Sequence, residues 1–324
     1  MFKRTLQYIN PSFDPTMGNQ LAAQLLTEAR QGQFETALSQ LPTWREGKWD
    51  ERGFYIDLIG QYANNRESVE KLPDTALGNL IRGAQAVHYA WDARGAKSAD
   101  QVHRGSWNPF FERLKMARQD LERAIELDSK DPTPYSILIR VGRGLQLGSE
   151  TSDSWFDAAV ALDPLNQQAH VNQLTAKCKK WRGGTHAEMF DFARDTVEKA
   201  PNTSTLNAIL FLAYHEQFLY SLGFDNDIDK AYAELSEPMP QEETIKLYNR
   251  TFGKIKRVER VSDYWSHNMT LFWFYLCDNH PIARQELAKV GPYCTEMPWA
   301  AFFETPIEGF KQVRRALILS KFTG

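Results

Sequence analysis

His215 and Glu216 are adjacent, and such a pair occurs in zinc hydrolases, where the glutamate acts as the general base. That chemistry needs a second histidine four positions after the first, because this spacing places both imidazoles on one face of a helix. Leu219 occupies that position here. We therefore expect no metal at this pair, and we expect His215 to form a hydrogen bond within a pair of helices, beneath neighbouring aromatic side chains.

Other residue types that support catalysis or metal binding lack the spacing that their chemistry requires. The remaining histidines show no ligand spacing, and the sequence contains neither a phosphate-binding loop nor the nucleophile turn of α/β hydrolases. The three cysteines, Cys178, Cys277 and Cys294, are far apart and odd in number, a pattern typical of reduced structural thiols. The sequence therefore predicts no catalytic residue, no metal and no cofactor.

Three aspartates at alternating positions, Asp225, Asp227 and Asp229, resemble the opening of a calcium-binding loop. A calcium loop has glycine at its sixth position and glutamate at its twelfth, whereas this segment has Lys230 and Ser236 there. We therefore expect a helix-capping loop with solvated carboxylates.

One cluster of basic residues has helical spacing. Its members follow one another at steps of four, four and three residues: Lys246, Arg250, Lys254 and Arg257. In a helix expected near residues 242–261 they would share one face, which could meet an acidic partner or a phosphate backbone. Three nearby carboxylates favour the simpler interpretation of a solvated face: Glu242, Glu243 and Glu259.

The composition excludes several classes of protein. The 324 residues include 38 basic and 41 acidic side chains, and the net charge of -3 argues against a generally basic nucleic-acid binder. Hydrophobic residues make up 42%, as in globular domains and not in disordered chains. The most apolar stretch, 269–277, is far shorter than the ~20 residues of a membrane span. Because the first residues lack an apolar signal segment, we expect a cytoplasmic protein.

The elements that must position these residues are helices, because apolar residues recur at helical spacing and never alternate over a sustained run. We expect about twelve helices. A hairpin is predicted over 18–41, a helix over 51–62 and another capped by Asp74, followed by a polar insertion over 94–108. Later helices are predicted near 110–128, 135–147, 155–162, 168–181, 206–222, 228–235, 264–277, 281–290 and 307–321, and Thr185 with Glu188 forms a capping box.

A weak repeat runs through the middle of the chain. Segments 117–128 and 156–164 each place a small residue and larger apolar residues before an acidic helix end, and 35 residues separate Ala124 from Ala159. This spacing is close to the 34-residue period of tetratricopeptide (TPR) repeats. Alanine permits a close approach of two helices, so we expect Ala124 and Ala159 at such contacts.

Residues 124–128 (AIELD) and 159–164 (AVALDP) resemble the end of a TPR repeat, and weaker traces lie at 32–37 and 279–287. Residues 83–216, approximately, resemble an uncharacterised bacterial family of TPR-like proteins, a domain of unknown function. The resemblance rests on the order of five features along the chain: Trp91-Asp92-Ala93-Arg94-Gly95, the two segments above, the run 180–194 and His215-Glu216. The resemblance implies a helical-repeat fold and brings no catalytic residues.

These observations predict an all-α fold, an irregular TPR-like solenoid of stacked antiparallel helix pairs. We expect helical hairpins over 1–75, the repeat core over 76–222 and a helical cap over 223–324. The leading hypothesis is a non-catalytic protein that binds a protein or peptide partner in a groove. By analogy with TPR repeats, one helix face would line that groove: Gln168, Asn172, Thr175 and Lys179.

Two other hypotheses remain open. The first is an enzyme whose site is assembled from distant helices, with His170, His215 and Glu216 as the polar residues to inspect. The second is a nucleic-acid-associated regulator that uses the basic helix face.

Overall fold

The computed structural model describes residues 11–45, 47–95, 103–181 and 184–320. Within these residues the chain forms α-helices and short 3-10 helices and no strand, which confirms the all-α prediction. The first nine helices are α1 (Gln20–Arg30), α2 (Glu35–Gln40), α3 (Trp49–Tyr62), α4 (Arg66–Glu70), α5 (Ala76–Arg94), α6 (Arg104–Leu127), α7 (Pro132–Leu145), α8 (Ser149–Leu162) and α9 (Gln167–Lys177). The others are α10 (His186–Lys199), α11 (Ile209–Gly223), α12 (Ile228–Ser236), α13 (Pro238–Arg250), α14 (Tyr264–Leu276), α15 (His280–Val290) and α16 (Pro306–Leu319).

The helices form two compact units. The N-terminal unit comprises the described residues within Asn19–Lys177 and Trp181–Gly184, and thus α1 to α9. The C-terminal unit comprises those within Met1–Gly18, Cys178–Lys180 and Thr185–Gly324, and thus α10 to α16. The boundary between the units falls inside the segment 76–222, which the sequence analysis set apart as the repeat core.

Short polar side chains begin several helices, as the sequence predicted. The Thr185 hydroxyl accepts a hydrogen bond from the Glu188 backbone N–H at 3.1 Å and donates to the Glu188 carboxylate at 2.8 Å, which forms the expected capping link. At α5 the prediction was wrong by one residue, because the Thr75 side chain caps the helix. The Asp74 carboxylate instead pairs with Arg123 at 2.9 Å.

Two predicted boundaries differ from the structure. The polar stretch 94–108 is not wholly an insertion, because α5 continues to Arg94 and α6 begins at Arg104, with Pro109 inside it. Residues 96–102 lie outside the described residues. Helix α9 ends at Lys177 and does not continue to residue 181.

Small residues set the distances between helices in the N-terminal unit. A Cβ atom on Gly83 of α5 would lie 2.6 Å from Leu121 Cγ of α6, so a larger residue would force the two helices apart. Ala159 is fully buried and packs in one cluster with Ile139 and Ala169. The close approach expected at this repeat position is therefore consistent with the packing of α7, α8 and α9.

A buried ion pair fixes α3 to the start of α7. The Arg52 guanidinium lies 2.5 Å from the Asp131 carboxylate and also donates to the Leu41 carbonyl oxygen at 3.0 Å. Asp131 in turn caps α7 by accepting from the Thr133 N–H at 2.9 Å. Removing either partner would leave a buried charge without compensation, so the contact specifies how these elements meet.

Helix α14 is the centre of the C-terminal unit. Nine of its consecutive residues, Ser266–Phe274, are buried, and its side chains meet α11, α15 and the irregular segment before α16. Phe272 packs against Trp299 with ring centres 4.9 Å apart, and Phe274 packs against Phe211 at 5.7 Å. Two polar residues of this buried helix, His267 and Asn268, therefore need partners inside the unit.

Candidate functional site

The predicted groove residues occupy two places in the chain. Gln168, Asn172 and Thr175 share one face of α9 in the N-terminal unit, and Lys179 belongs to the C-terminal unit. The Asn172 amide donates to the Ser136 carbonyl oxygen at 2.9 Å, and the Thr175 hydroxyl donates to the Val171 carbonyl oxygen at 2.7 Å. These two groups serve the packing of their own unit, and a groove lined by this face stays a prediction.

His215 and Glu216 have separate surroundings. The fully buried His215 ring stacks on Phe272 with centres 5.4 Å apart, and its Nε2 lies 3.4 Å from the Met269 carbonyl oxygen. Burial lowers the pKa of His215 to about 4. Glu216 instead pairs with Lys180 at 2.5 Å. The adjacent residues therefore act as packing and ion-pair groups, and no metal-binding geometry joins them.

The third residue of the enzyme hypothesis, His170, lies in the N-terminal unit, with its Nδ1 2.8 Å from the Asn166 carbonyl oxygen. Among the described residues, no group of three or more His, Cys, Asp and Glu side chains is placed to hold a metal ion. The alternating aspartates form the expected capping loop, since Asp227 accepts from the Lys230 N–H at 2.9 Å and Asp225 pairs with the Lys230 ammonium at 2.5 Å.

The predicted basic helix face is wrong as a continuous face. Helix α13 ends at Arg250, Thr251 leaves helical geometry with φ −116° and ψ −88°, and Lys254 ends a 3-10 turn. One local and one tertiary feature accompany this ending: Gly253 is a poor helix former, and the packing of the unit buries Phe252 fully in the core. Arg250 points inward, where it donates to the Val197 carbonyl oxygen at 3.0 Å.

Because α13 ends at Arg250, the four basic residues lie on two different concave surfaces. Lys246, Arg250 and Lys254 line a cavity of about 560 Å³, together with Glu242 and other residues of α13. Arg257 and Lys254 line a second cavity, of about 770 Å³, which we call the 254–263 cleft. Its wall consists of the turn 203–205, the segment 254–257, Glu259, Arg260, Asp263 and His267.

Hydrogen bonds organise one side of the 254–263 cleft. The Asp263 carboxylate, which is buried, accepts from the Thr205 hydroxyl at 2.8 Å and from the Arg260 guanidinium at 2.7 and 3.1 Å. The Glu259 carboxylate lies 4.0 Å from Arg257. The cleft therefore has a fixed wall around Asp263 and an exposed basic rim.

His267, which lines the floor of the cleft, pairs with a carboxylate behind it, and the sequence analysis missed this pair. His267 is fully buried, and its Nδ1 lies 2.6 Å from the Glu286 carboxylate. The same carboxylate pairs with Lys289, whose ammonium also donates to the Phe252 carbonyl oxygen at 2.7 Å. A histidine and a glutamate at buried positions of neighbouring apolar helices were the available signal, but their pairing depends on how α14 and α15 pack.

Four of the most exposed apolar side chains of the C-terminal unit lie on or beside α12. Each keeps more than half of its area exposed: Phe224 (53%), Ile228 (62%), Tyr232 (55%) and Met239 (61%). Leu319, at the end of α16, is likewise 56% exposed. Ile228 and Tyr232 are four residues apart and lie next to the buried Ala231 and Leu235 on α12, so the apolar stripe of this helix is only partly covered. We call these four exposed side chains the α12 surface.

Charged residues around the α12 surface are mainly acidic. Asp225, Asp229 and Glu237 are exposed, and Lys230 is engaged with Asp225. This ion pair holds the pKa of the Asp225 carboxyl below its usual range. An apolar area with an acidic border is a feature of surfaces that bind another protein.

All three cysteines are thiols, as their number and spacing predicted. Cys178 is buried beside Met189, with their sulfur atoms 3.5 Å apart. Burial raises the pKa of Cys277 to about 12 and the pKa of Cys294 to about 11. Because the thiolate is the reactive form, neither residue is suited to nucleophilic chemistry.

Comparison with known proteins adds no assignment to these sites. No protein-family model matches the chain, and neither curated proteins nor solved structures show a significant similarity to it. In the described part of the chain, no helix is both long and apolar enough to cross a membrane.

Proposed function

We propose that the protein is a non-catalytic helical-repeat protein of bacterial type that binds a protein or peptide partner, and that the partner docks on the α12 surface. The observation that carries this proposal is the incomplete burial of the apolar stripe of α12. Ile228 and Tyr232 keep more than half of their area exposed, although each lies beside a buried residue of the same stripe. Burying such side chains against a partner is favourable by about 25 cal/mol per Å² of apolar surface.

The acidic border specifies the chemistry of the partner. Asp225, Asp229 and Glu237 favour a segment that carries lysine or arginine beside its apolar residues, because opposite charges guide and orient association. An amphipathic helix with a basic face meets both requirements. The TPR resemblance supports a binding function of this kind, although the surface lies outside the segments that carry the resemblance.

The proposal is tested with two synthetic amphipathic helices, one with leucine and lysine faces and one with glutamate in place of lysine. We expect the lysine peptide to bind with micromolar affinity and the glutamate peptide at least about tenfold more weakly, since like charges oppose docking. Fluorescence anisotropy measures both affinities. Added salt should weaken binding of the lysine peptide.

A matched pair of variants locates the binding surface. Ile228→Lys places a positive charge in the apolar area and should abolish binding of the lysine peptide. Ile318→Lys makes the same change at an isoleucine of α16 that is 42% exposed. This control variant should bind the lysine peptide with the affinity of the unmodified protein. Equal binding of the two peptides, or an equal loss in both variants, would contradict the proposal.

A further inference from the structure

The 254–263 cleft has the size of a small-molecule site. Its volume of about 770 Å³ lies within the roughly 300–1,000 Å³ of typical ligand pockets. It is distinct from the α12 surface, and none of the residues that form that surface lines it. Three kinds of polar group meet in it: exposed cations, the fixed Asp263 wall and the buried His267.

The balance of charge in the cleft favours an anion. Four cationic side chains line it, against two carboxylates: Lys254, Lys256, Arg257, Arg260, Glu259 and Asp263. Asp263 is engaged by Arg260, and Glu259 lies nearest to Arg257. Neither Lys254 nor Lys256 forms an ion pair with a carboxylate in the described ranges of the chain. A phosphate monoester carries a charge of about −1.5 to −2 at pH 7, which matches this excess of two cations.

The floor of the cleft favours a hydroxyl group. Nδ1 of His267 faces the Glu286 carboxylate and therefore carries the proton in the neutral ring, which leaves Nε2 as a hydrogen-bond acceptor. Nε2 is buried and has no hydrogen-bond partner among the described residues. Buried acceptors are normally satisfied, so a donor that enters the cleft would complete this one.

We propose that the 254–263 cleft binds a small phosphate monoester of a hydroxylated compound, of the sugar phosphate class. Lys254 and Lys256 bind the phosphate group, and His267 Nε2 accepts a hydrogen bond from a ligand hydroxyl. Glu286 and Lys289 are positioning residues, because they hold the imidazole so that Nε2 is the acceptor.

Calorimetric titration of the full chain with three probes tests the ligand class. We expect glucose 6-phosphate to bind about fivefold more tightly than inorganic phosphate, because one additional hydrogen bond forms. Glucose should show no detectable binding, since it lacks the charge that the lysines recognise. Equal affinity for all three probes, or no binding of either phosphate, would overturn the proposal.

Variants assign the two contacts separately. Lys254→Ala and Lys256→Ala should each lower the affinity for inorganic phosphate and for glucose 6-phosphate by about tenfold, since each variant loses a charge-assisted hydrogen bond. Lys311→Ala removes an exposed lysine of α16, outside the cleft, and should leave both affinities unchanged. Lysine variants that bind like the unmodified protein would place the ligand elsewhere.

His267→Asn keeps an amide N–H near the position of Nδ1 for Glu286 and removes Nε2. It should bind inorganic phosphate as before and lose the preference for glucose 6-phosphate. Because substitution at a buried position can prevent folding, NMR of the imidazole nitrogens in the unmodified protein provides a second test. Glucose 6-phosphate should shift the Nε2 resonance of His267, and phosphate alone should not. An unchanged Nε2 resonance with glucose 6-phosphate would overturn the role of His267.

Discussion

At the scale of single residues, His215 shows how burial changes the chemistry of a side chain. Its ring lies among Phe272, Trp273 and Phe302, and among the described residues only the Met269 carbonyl oxygen approaches a ring nitrogen. The desolvated imidazolium is unfavourable there, so the pKa falls from 6.5 to about 4. The residue that suggested a catalytic site in the sequence is therefore a neutral member of an aromatic cluster at physiological pH.

This depressed pKa predicts how stability depends on pH. Between about pH 6.5 and 4 the unfolded chain binds a proton at His215 and the folded protein does not, so the free energy of unfolding falls as the pH is lowered. The contribution is on the order of 3 kcal/mol across that range. His215→Phe removes the titrating group and should flatten this part of the profile.

Urea denaturation of both proteins at a series of pH values measures the difference. Other groups that titrate in this range contribute equally to the two curves, so only the change in slope reports on His215. Parallel curves for the unmodified protein and His215→Phe would show that the pKa of His215 is the same in the folded and unfolded states.

At the scale of elements, Ala159 of α8 tests the repeat spacing. It is fully buried against Ile139 and Ala169, so Ala159→Leu should overpack this cluster and destabilise the protein by about 1–3 kcal/mol. Ala161→Leu adds the same side chain two residues later, at an exposed position of the same helix, and should change stability by less than about 0.5 kcal/mol.

The urea midpoints of these two variants test whether the packing at Ala159 is tight. If Ala159→Leu is as stable as Ala161→Leu, the contact at Ala159 is loose, and the spacing between Ala124 and Ala159 has no packing origin. A loss confined to Ala159→Leu would support the alignment of the repeats.

Local signals in the sequence predicted most helices, because caps and apolar spacing act over a few residues. Thr185 and Glu188 form the expected link at the start of α10. The end of α13 was missed because charge spacing alone continued the helix through Gly253. Burial of Phe252, a property of the whole unit, stops the helix after Arg250.

The candidate sites were less predictable than the helices. His267 and Glu286 are 19 residues apart and meet because α14 and α15 pack together. No local sequence pattern predicts the packing of these two helices. Likewise, helical spacing predicted an apolar stripe on α12 but not that Ile228 and Tyr232 remain exposed. Such features depend on which faces the rest of the unit covers.

At the scale of the whole molecule, the net charge and the broken basic face bear on nucleic-acid binding. Four phosphate contacts would give a slope of about −3.6 for log affinity against log salt concentration. We expect weak binding to random duplex DNA instead, because the net charge is -3 and Arg250 is occupied by the Val197 carbonyl oxygen.

Fluorescence anisotropy at two salt concentrations measures this binding. Lys246→Glu combined with Lys254→Glu is the suitable variant, since Lys246 and Lys254 are both exposed and Arg250 is left unchanged. Sub-micromolar binding with a steep salt dependence, lost in the variant, would support the nucleic-acid hypothesis and contradict the expected weak binding to DNA.

The protected thiols make the chain a convenient subject for spectroscopy. Cys178 is buried, and Cys277 and Cys294 remain protonated well above neutral pH. A maleimide dye at neutral pH would therefore react slowly with the native cysteines and rapidly with one introduced at an exposed position. Ser236→Cys, at the exposed end of α12, would then carry a fluorophore beside the α12 surface and leave Ile228 in place. Occupancy of this surface could be followed in real time without altering any native cysteine.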